Sequence, residues 1–468
     1  MKIIRDLLAA ACVLCSVSEA DAGTSGYFQY KDNGSSVTVT GYSGPAGPMV
    51  IPSLIEGKPV VEIGVLAFHS KSGITSVTIP DSVVTIGFQA FYYCKNLSSV
   101  VIPASVTNFG SGIFLQCDSL RTVSLPAGLV AVPSKMFFGC DALEELTIPA
   151  GTKSIGSSAF TYCRNLRKLV LPPGLESIES LAFSYCDGLT DFSIPESVSV
   201  IGLGAFTNCD GLTRIRLPKG LKVLERYLFQ GCRELVEVEV PDGVEKLEDW
   251  CFMSCVKLRR VGLPASLKRV GKSFVFCKSL KSVRFPKALR KLSIQAFEGS
   301  GVEKPIFSGS APVLLDGDVF HNVPKTFQSI YQDGKKGFSW PEWGGFPLRP
   351  LGPEIAVSPH SGEEFASRKP RIFMGARNVG FERVKKVTIR NIGTRSLKGL
   401  SVRLTHNSVG DFICTVPSEK LLKPDESMTI RVAFIPKAVG YRHAKLRIES
   451  NDANENPVVI RLRGLGMN

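Results

Sequence analysis

The 468-residue chain is 44% apolar and 21% charged, which excludes a disordered polypeptide, and its length allows two to four domains. With 44 glycines and 29 prolines it reads as a turn-rich β protein. Net charge is +14, and residues 351–468 alone hold 20 Lys and Arg against 11 Asp and Glu. A basic balance of this kind points to polyanionic partners, or more plainly to a generically basic secreted protein.

Residues 1–22 read as a secretory leader. Lys2 and Arg5 give a positive start, residues 7–17 an apolar core, and Ala20-Asp21-Ala22 a small-x-small cleavage site ahead of Gly23. The core is too short for a comfortable membrane span, and no later stretch reaches about 18 uninterrupted apolar residues. A mature chain without a membrane span is therefore expected. A lipoprotein alternative at Cys12 leaves a very short apolar run.

Residues 23–50 alternate in polarity. Phe28-Gln29-Tyr30 and Val37-Thr38-Val39 flank Asp32-Asn33-Gly34, a turn with hairpin chemistry, and this hairpin is in place to cap whatever follows.

Residues 51–307 repeat one phrase: Ile79-Pro80-Asp81-Ser82-Val83, then Ile86-Gly87, then Ala90-Phe91, Cys94 and Leu97. The marker proline returns every 23 residues, at Pro103, Pro126, Pro149, Pro172, Pro195, Pro218, Pro241 and Pro264, and once after 22, at Pro286. Phenylalanine (Phe91 to Phe252) and cysteine (Cys94 to Cys255) keep the same beat. A fixed period in the twenties means a solenoid of about eleven coils, each burying its apolar side only by stacking on its neighbours. Val100 and Ile102 share one face of a short strand, and the following proline closes it because it cannot donate to a ladder. The run Ile-Pro-x-Ser-Val-x-x-Ile-Gly-x-x-Ala-Phe-x-x-Cys-x-x-Leu resembles the BspA-like leucine-rich repeats of secreted and surface proteins. That resemblance implies a non-enzymatic protein that binds another macromolecule.

Nine cysteines, Cys94 to Cys277, stand on successive coils about 4.8 Å apart, parallel and slightly too far apart for easy disulfides, so buried free thiols are expected. Lys71 and Ser300 replace cysteine at the two ends, as exposed terminal coils would require. Ser99, Thr122, Glu145, Lys168, Asp191, Arg214, Glu237, Arg260 and Ser282 are expected to face outward on the concave sheet. Six of them alternate in sign. Two readings stay open: a charge ladder that staples coil to coil, or a recognition face that turns basic at Arg259, Arg260, Lys281 and Arg284.

Residues 308–352 resemble the closing segment found behind such repeats, with Trp340 and Trp343 laid over the last coil or, on a sharper reading, forming a sugar-binding patch. Residues 353–468 carry short alternating runs split by turns, such as Lys386-Val387-Thr388-Ile389-Arg390 and Ala444-Lys445-Leu446-Arg447-Ile448, which argue for an immunoglobulin-like sandwich. Ile389-Arg390-Asn391-Ile392-Gly393, Val432-Ala433-Phe434-Ile435-Pro436 and Leu462-Arg463-Gly464-Leu465-Gly466 resemble the choice-of-anchor D and abnormal-spindle/hydin domains. Those imply a spacer, anchoring or protein-contact role.

No catalytic, cofactor or metal residues stand out. His69, His321, His360, His406 and His443 share no ligand or triad spacing. Asp316-Gly317-Asp318 and residues 451–456 hold enough oxygens for calcium but read better as turns. The expectation is a mostly β, secreted or cell-surface adhesion protein without cofactors or small-molecule substrate, contacting proteins or glycans, with polyanion contact through the basic C-terminal domain. An envelope spacer docked through its sandwich is the alternative, and an unrecognised hydrolase a distant one.

Overall fold

The computed structural model describes residues 22–293, 295–315, 324, 329–331, 342–343, 346–350, 355–359, 371–407, 410–418, 421–452 and 457–468. The expected leader core, Cys12, Trp340, His321, His360 and the turn at 316–318 lie outside them. Strands and turns make up the described residues, without a helix. A β-solenoid of about 12 turns spans residues 37–331, and an immunoglobulin-like sheet region follows. The chain divides into two compact units, one of residues 1–281, 290–302 and 313–324, the other of residues 282–289, 303–312 and 325–468.

In the first unit most coils contribute a three-residue and a two-residue strand, and within each sheet these pair in parallel at the repeat period. Ser76, Ser99 and Thr122 stand opposite one another in the first ladder, and Ser154, Ser177 and Val200 in the second. The middle residue of each longer strand points inward, as alternation on a strand requires; Val100, Leu146, Phe192, Ile215, Val238 and Val261 are buried. A third ladder runs along the turns. There the Phe68 amide donates to Ala90 O (2.8 Å), Phe91 to Ile113 O (3.0 Å) and Phe229 to Cys251 O (2.8 Å).

The hairpin forms as expected, with Asp32 Oδ1 accepting the Gly34 N–H at 2.8 Å. Its second strand, Val37–Tyr42, also pairs in parallel with Lys58–Ile63, so the cap is itself the first rung. Tyr42 closes the aromatic stack edge-on against Phe68.

Two corners of each coil require left-handed backbone. One column holds Leu66, Gln89, Gly112, Lys135, Ser158, Leu181, Gly204, Tyr227 and Trp250; the other holds Ser70, Tyr93, Gln116, Gly139, Tyr162, Tyr185, Asn208, Gly231 and Ser254. Most of these are not glycine, and none is β-branched, the class that tolerates positive φ least.

The core is a stack of phenylalanines. Successive rings from Phe68 to Phe297 lie 5.1–5.9 Å apart and within 23° of parallel, the range of offset stacking. Beside them run the thiols. Each ladder cysteine donates its S–H to the carbonyl of the phenylalanine one coil back: Cys94 to Phe68 (3.0 Å), Cys140 to Phe114 (3.2 Å), Cys186 to Phe160 (3.1 Å), Cys277 to Phe252 (3.0 Å). That carbonyl already accepts one backbone amide, such as Lys71 N on Phe68 O, so the thiol meets its second lone pair. All eleven described cysteines are free. Ser300 departs from expectation: it is only 5% exposed, and Val313–Leu315 adds a further rung on Lys291–Ser293.

The second unit contains the sandwich. One sheet orders Ile355–Pro359, Arg383–Asn391, Ser427–Phe434 and Phe412–Thr415; the other orders Arg371–Asn378, Val458–Met467, Gly440–Glu449 and Ser401–Thr405. Inward residues of both, including Ile372, Val387, Ile389, Ile430, Val432, Leu446, Ile448 and Leu462, form one core. Strands Ser282–Phe285, Lys304–Phe307, Ser329–Tyr331 and Phe346–Pro350 pair in parallel, and Glu342–Trp343 adds an antiparallel edge.

Burial pushes the Cys94 thiol up to about 12 and raises the other ladder thiols as well. A thiol that ionises near 8.5 when unfolded then contributes its full stability below that pH and loses it as pH rises toward the folded value. Each costs about 1.4 kcal/mol per pH unit in that window. Urea unfolding of the reduced protein is expected to weaken steeply between pH 9 and 10, and less steeply in a Cys140→Ala/Cys163→Ala/Cys186→Ala variant; equal pH slopes would contradict this. The left-handed columns make a second prediction. Lys135→Gly is expected to be neutral or stabilising by up to about 1 kcal/mol, whereas Gly139→Ala loses about 1 kcal/mol, both read from urea midpoints.

Candidate binding face

The outward positions of the longer strands are where alternation places them. Glu145 stands opposite Lys168, Asp191 opposite Arg214, Arg214 opposite Glu237, and Glu237 opposite Arg260. Register alone does not decide which charges meet. Lys168 Nζ lies 3.6 Å from Glu145 and Arg214 Nε 3.4 Å from Glu237, but Arg260 turns to Glu239, at 2.9 Å. Asp191 takes no part in the described ion pairs. Arg259, Lys281 and Arg284 are exposed, Arg259 and Lys281 in the first unit and Arg284 in the second.

The expected unbroken column is interrupted. No sheet hydrogen bonding joins Thr122–Ser124 to Glu145–Thr147, or Lys168–Val170 to Asp191–Ser193, so Lys168 does not sit between two paired carboxylates. At the first interruption the face opens into a shallow depression of about 700 Å3, lined by Thr122, Ser124, Glu145, Thr147, Lys168 and Val170 among others. Polar side chains border it, and Leu146 forms part of its floor. Such a surface offers hydrogen bonds and charge to a macromolecule.

Other charges join coils elsewhere. Lys95–Asp118 (3.8 Å), Arg164–Asp141 (2.8 Å), Lys153–Glu176 (2.9 Å), Arg233–Asp210 (3.5 Å) and Lys257–Glu234 (2.6 Å) each link residues 23 apart. Among the described residues no three His, Cys, Asp or Glu side chains converge as metal ligands do. The Asn451 side chain is engaged locally, with Oδ1 accepting the Lys398 N–H at 2.7 Å. The ladder thiols are held neutral by burial and point at carbonyls, a setting for packing and not for nucleophilic attack. Cys414, half-buried in the sandwich, is pushed up to about 11 by the same cause.

Reading the sequence one strand column at a time missed the charge content of whole coils. From Val256 to Phe297 there are twelve Lys and Arg and no Asp or Glu. A running charge count over two coils is the signal that finds it.

The model of the BspA type leucine-rich repeat region matches residues 61–190 and 176–303, together more than half of the chain. Residues 369–465 match the HYDIN/CFA65/VesB-like Ig-like domain. No curated protein matches. Among solved structures, a leucine-rich repeat protein from Bacteroides ovatus is 21% identical with a TM-score of 0.52, covering 70% of this chain and 100% of its own. A leucine-rich cell surface protein from Faecalibacterium prausnitzii is 27% identical with a TM-score of 0.48, covering 67% of this chain and 95% of its own.

Glu145 and Lys168 are 70% and 73% exposed, so solvent screens their attraction. Lys168→Glu is expected to cost less than about 1 kcal/mol, and Glu145→Lys/Lys168→Glu to restore it. Thermal unfolding of both variants checks this; a double reversal no more stable than the single change would show that the pair does not couple.

Proposed function

Because the chain belongs to the BspA-type leucine-rich repeat family, we propose that it is a secreted or cell-surface protein that binds another protein through the outward strand face of its solenoid, without catalysis. Glu145, Lys168, Asp191, Arg214, Glu237, Arg259 and Arg260 are the side chains assigned to that face, with Lys281 at its basic end; Arg284 belongs to the other unit. The observation that carries this reading is the interruption between Thr122–Ser124 and Glu145–Thr147, where polar and apolar side chains together line a depression in the sheet. At this interruption the facing residues Thr122 and Glu145 offer no opposite-charge pair, and Asp191 is left out of the described pairs. A rigid surface also loses little conformational freedom on binding, which favours many individually weak contacts. No helix among the described residues is long and apolar enough to cross a membrane.

The second reading is a spacer that docks through its basic sandwich. It is favoured by the coil-to-coil ion pairs away from the strand face, Lys95–Asp118, Arg164–Asp141 and Lys268–Glu245 among them, which neutralise much of the surface. Binding arrays of extracellular proteins and of glycans, probed with residues 23–468 and with the Glu145→Lys/Lys168→Glu variant, separate the two. The double reversal keeps the ion pair while presenting the wrong sign to a partner, so loss of protein binding by about tenfold or more is expected. Retention of every wild-type partner would place binding elsewhere.

A further inference from the structure

Through most of the solenoid a cation has a carboxylate one coil away, and Lys257 with Glu234 and Lys268 with Glu245 are still joined in this way. From Val256 to Phe297, however, the sequence holds twelve cations and no carboxylate, so these coils supply no opposite charge of their own. On the second, shorter row of strands, Lys246 stands directly opposite Arg269 and Arg269 directly opposite Lys291. Coils repeat about every 4.8 Å, so three like charges form one row. Like charges directly opposite destabilise a sheet, so the row works against the fold that carries it. Lys246 is relieved by Glu248 and the flanking Lys268 by Glu245, at 2.7 Å. Arg269, Lys272 and Lys291 join no carboxylate among the described ion pairs, and Arg269 Nε is buried with no hydrogen-bond partner.

We infer that the row Lys246, Arg269 and Lys291, flanked by Lys268 and Lys272, is a binding site for a linear acidic polysaccharide. This surface lies on the shorter strands and its assignment does not depend on the protein-binding face. The row is one side chain wide, and the backbone sets its pitch at about 4.8 Å, comparable to the length of one sugar residue, so a chain with acidic groups on successive sugars meets one cation per coil. Arginine and lysine supply the donors that sulfate and carboxylate groups accept. A single-stranded nucleic acid would need open aromatic faces for its bases. Trp250, the ring beside the row, is stacked on Tyr227 at 5.1 Å and carries the Lys272 ammonium 5.8 Å over it. A lipid surface would need apolar side chains to insert, and those of these strands, Leu247, Val270 and Leu292, are buried.

The test uses residues 23–468, with heparin as the sulfated probe, polygalacturonate as the carboxylated one, and dextran as the uncharged control. An oligothymidylate and phosphatidylserine vesicles serve as rival polyanions. Arg269→Gln/Lys291→Gln is expected to weaken polysaccharide binding about tenfold and to reduce the slope of log affinity against log salt by about two. The far-ultraviolet spectrum and unfolding midpoint should be unchanged or the midpoint raised, because a like-charge contact has been removed. Lys445→Gln/Arg463→Gln, an equal charge loss on the sandwich, should leave binding intact. The inference is overturned if the solenoid variant binds both polysaccharides as the wild type does, if only the sandwich variant loses them, or if the oligonucleotide or vesicles bind more tightly through the same two residues.

Discussion

The carbonyls of the core phenylalanines from Phe68 to Phe252 lie inside the stack; each accepts a thiol from the next coil, and most also accept an amide from their own. A buried acceptor left short of partners costs stability, and a hydroxyl in the same place would itself be costly to desolvate. Cysteine solves both problems, being small, readily buried and a weak donor. The cost is a reduced, neutral sulfur on each coil from Cys94 to Cys277. From Cys94 to Cys277 the donor–acceptor distance stays between 3.0 and 3.2 Å, so each coil is set on the last with little freedom to slip.

That fixed stacking turns a sequence period into surface columns. A residue 23 positions on lies directly above its counterpart, and charge is therefore written onto the molecule in rows. Coils up to Cys255 contain many opposite-sign neighbours, including Arg164 with Asp141 and Arg214 with Glu237. The next two coils place Arg269 above Lys246 and Lys291 above Arg269. The same backbone thus carries a largely self-neutralised surface and a strongly basic one. On this account the two take different partners.

The solenoid was legible because a proline, a phenylalanine and a cysteine each recur on one beat, and local strand polarity gave the inward and outward columns. The sandwich was legible from strands such as Ser427–Phe434, whose buried Met428, Ile430 and Val432 alternate with exposed residues. What the columns did not reveal was which neighbours meet. Arg260 chose Glu239 over Glu237 because long exposed side chains reach diagonally, and the sheet parted on either side of Glu145 and Lys168 although the repeat did not change. The left-handed corners were hidden for a related reason. Glycine marks them only at positions such as Gly112 and Gly139, while Leu66, Lys135 and Tyr162 occupy the same conformation elsewhere, held there by the stacked turns.

The thiol-to-carbonyl ladder is tested most directly by the Raman S–H stretch of the native protein in neutral solution. The account predicts one dominant band at the lowered frequency of a hydrogen-bonded thiol, shifting to the frequency of a hydrated thiol when the chain is unfolded in urea. A native band already at the free-thiol position, or its replacement by a disulfide stretch, would contradict it.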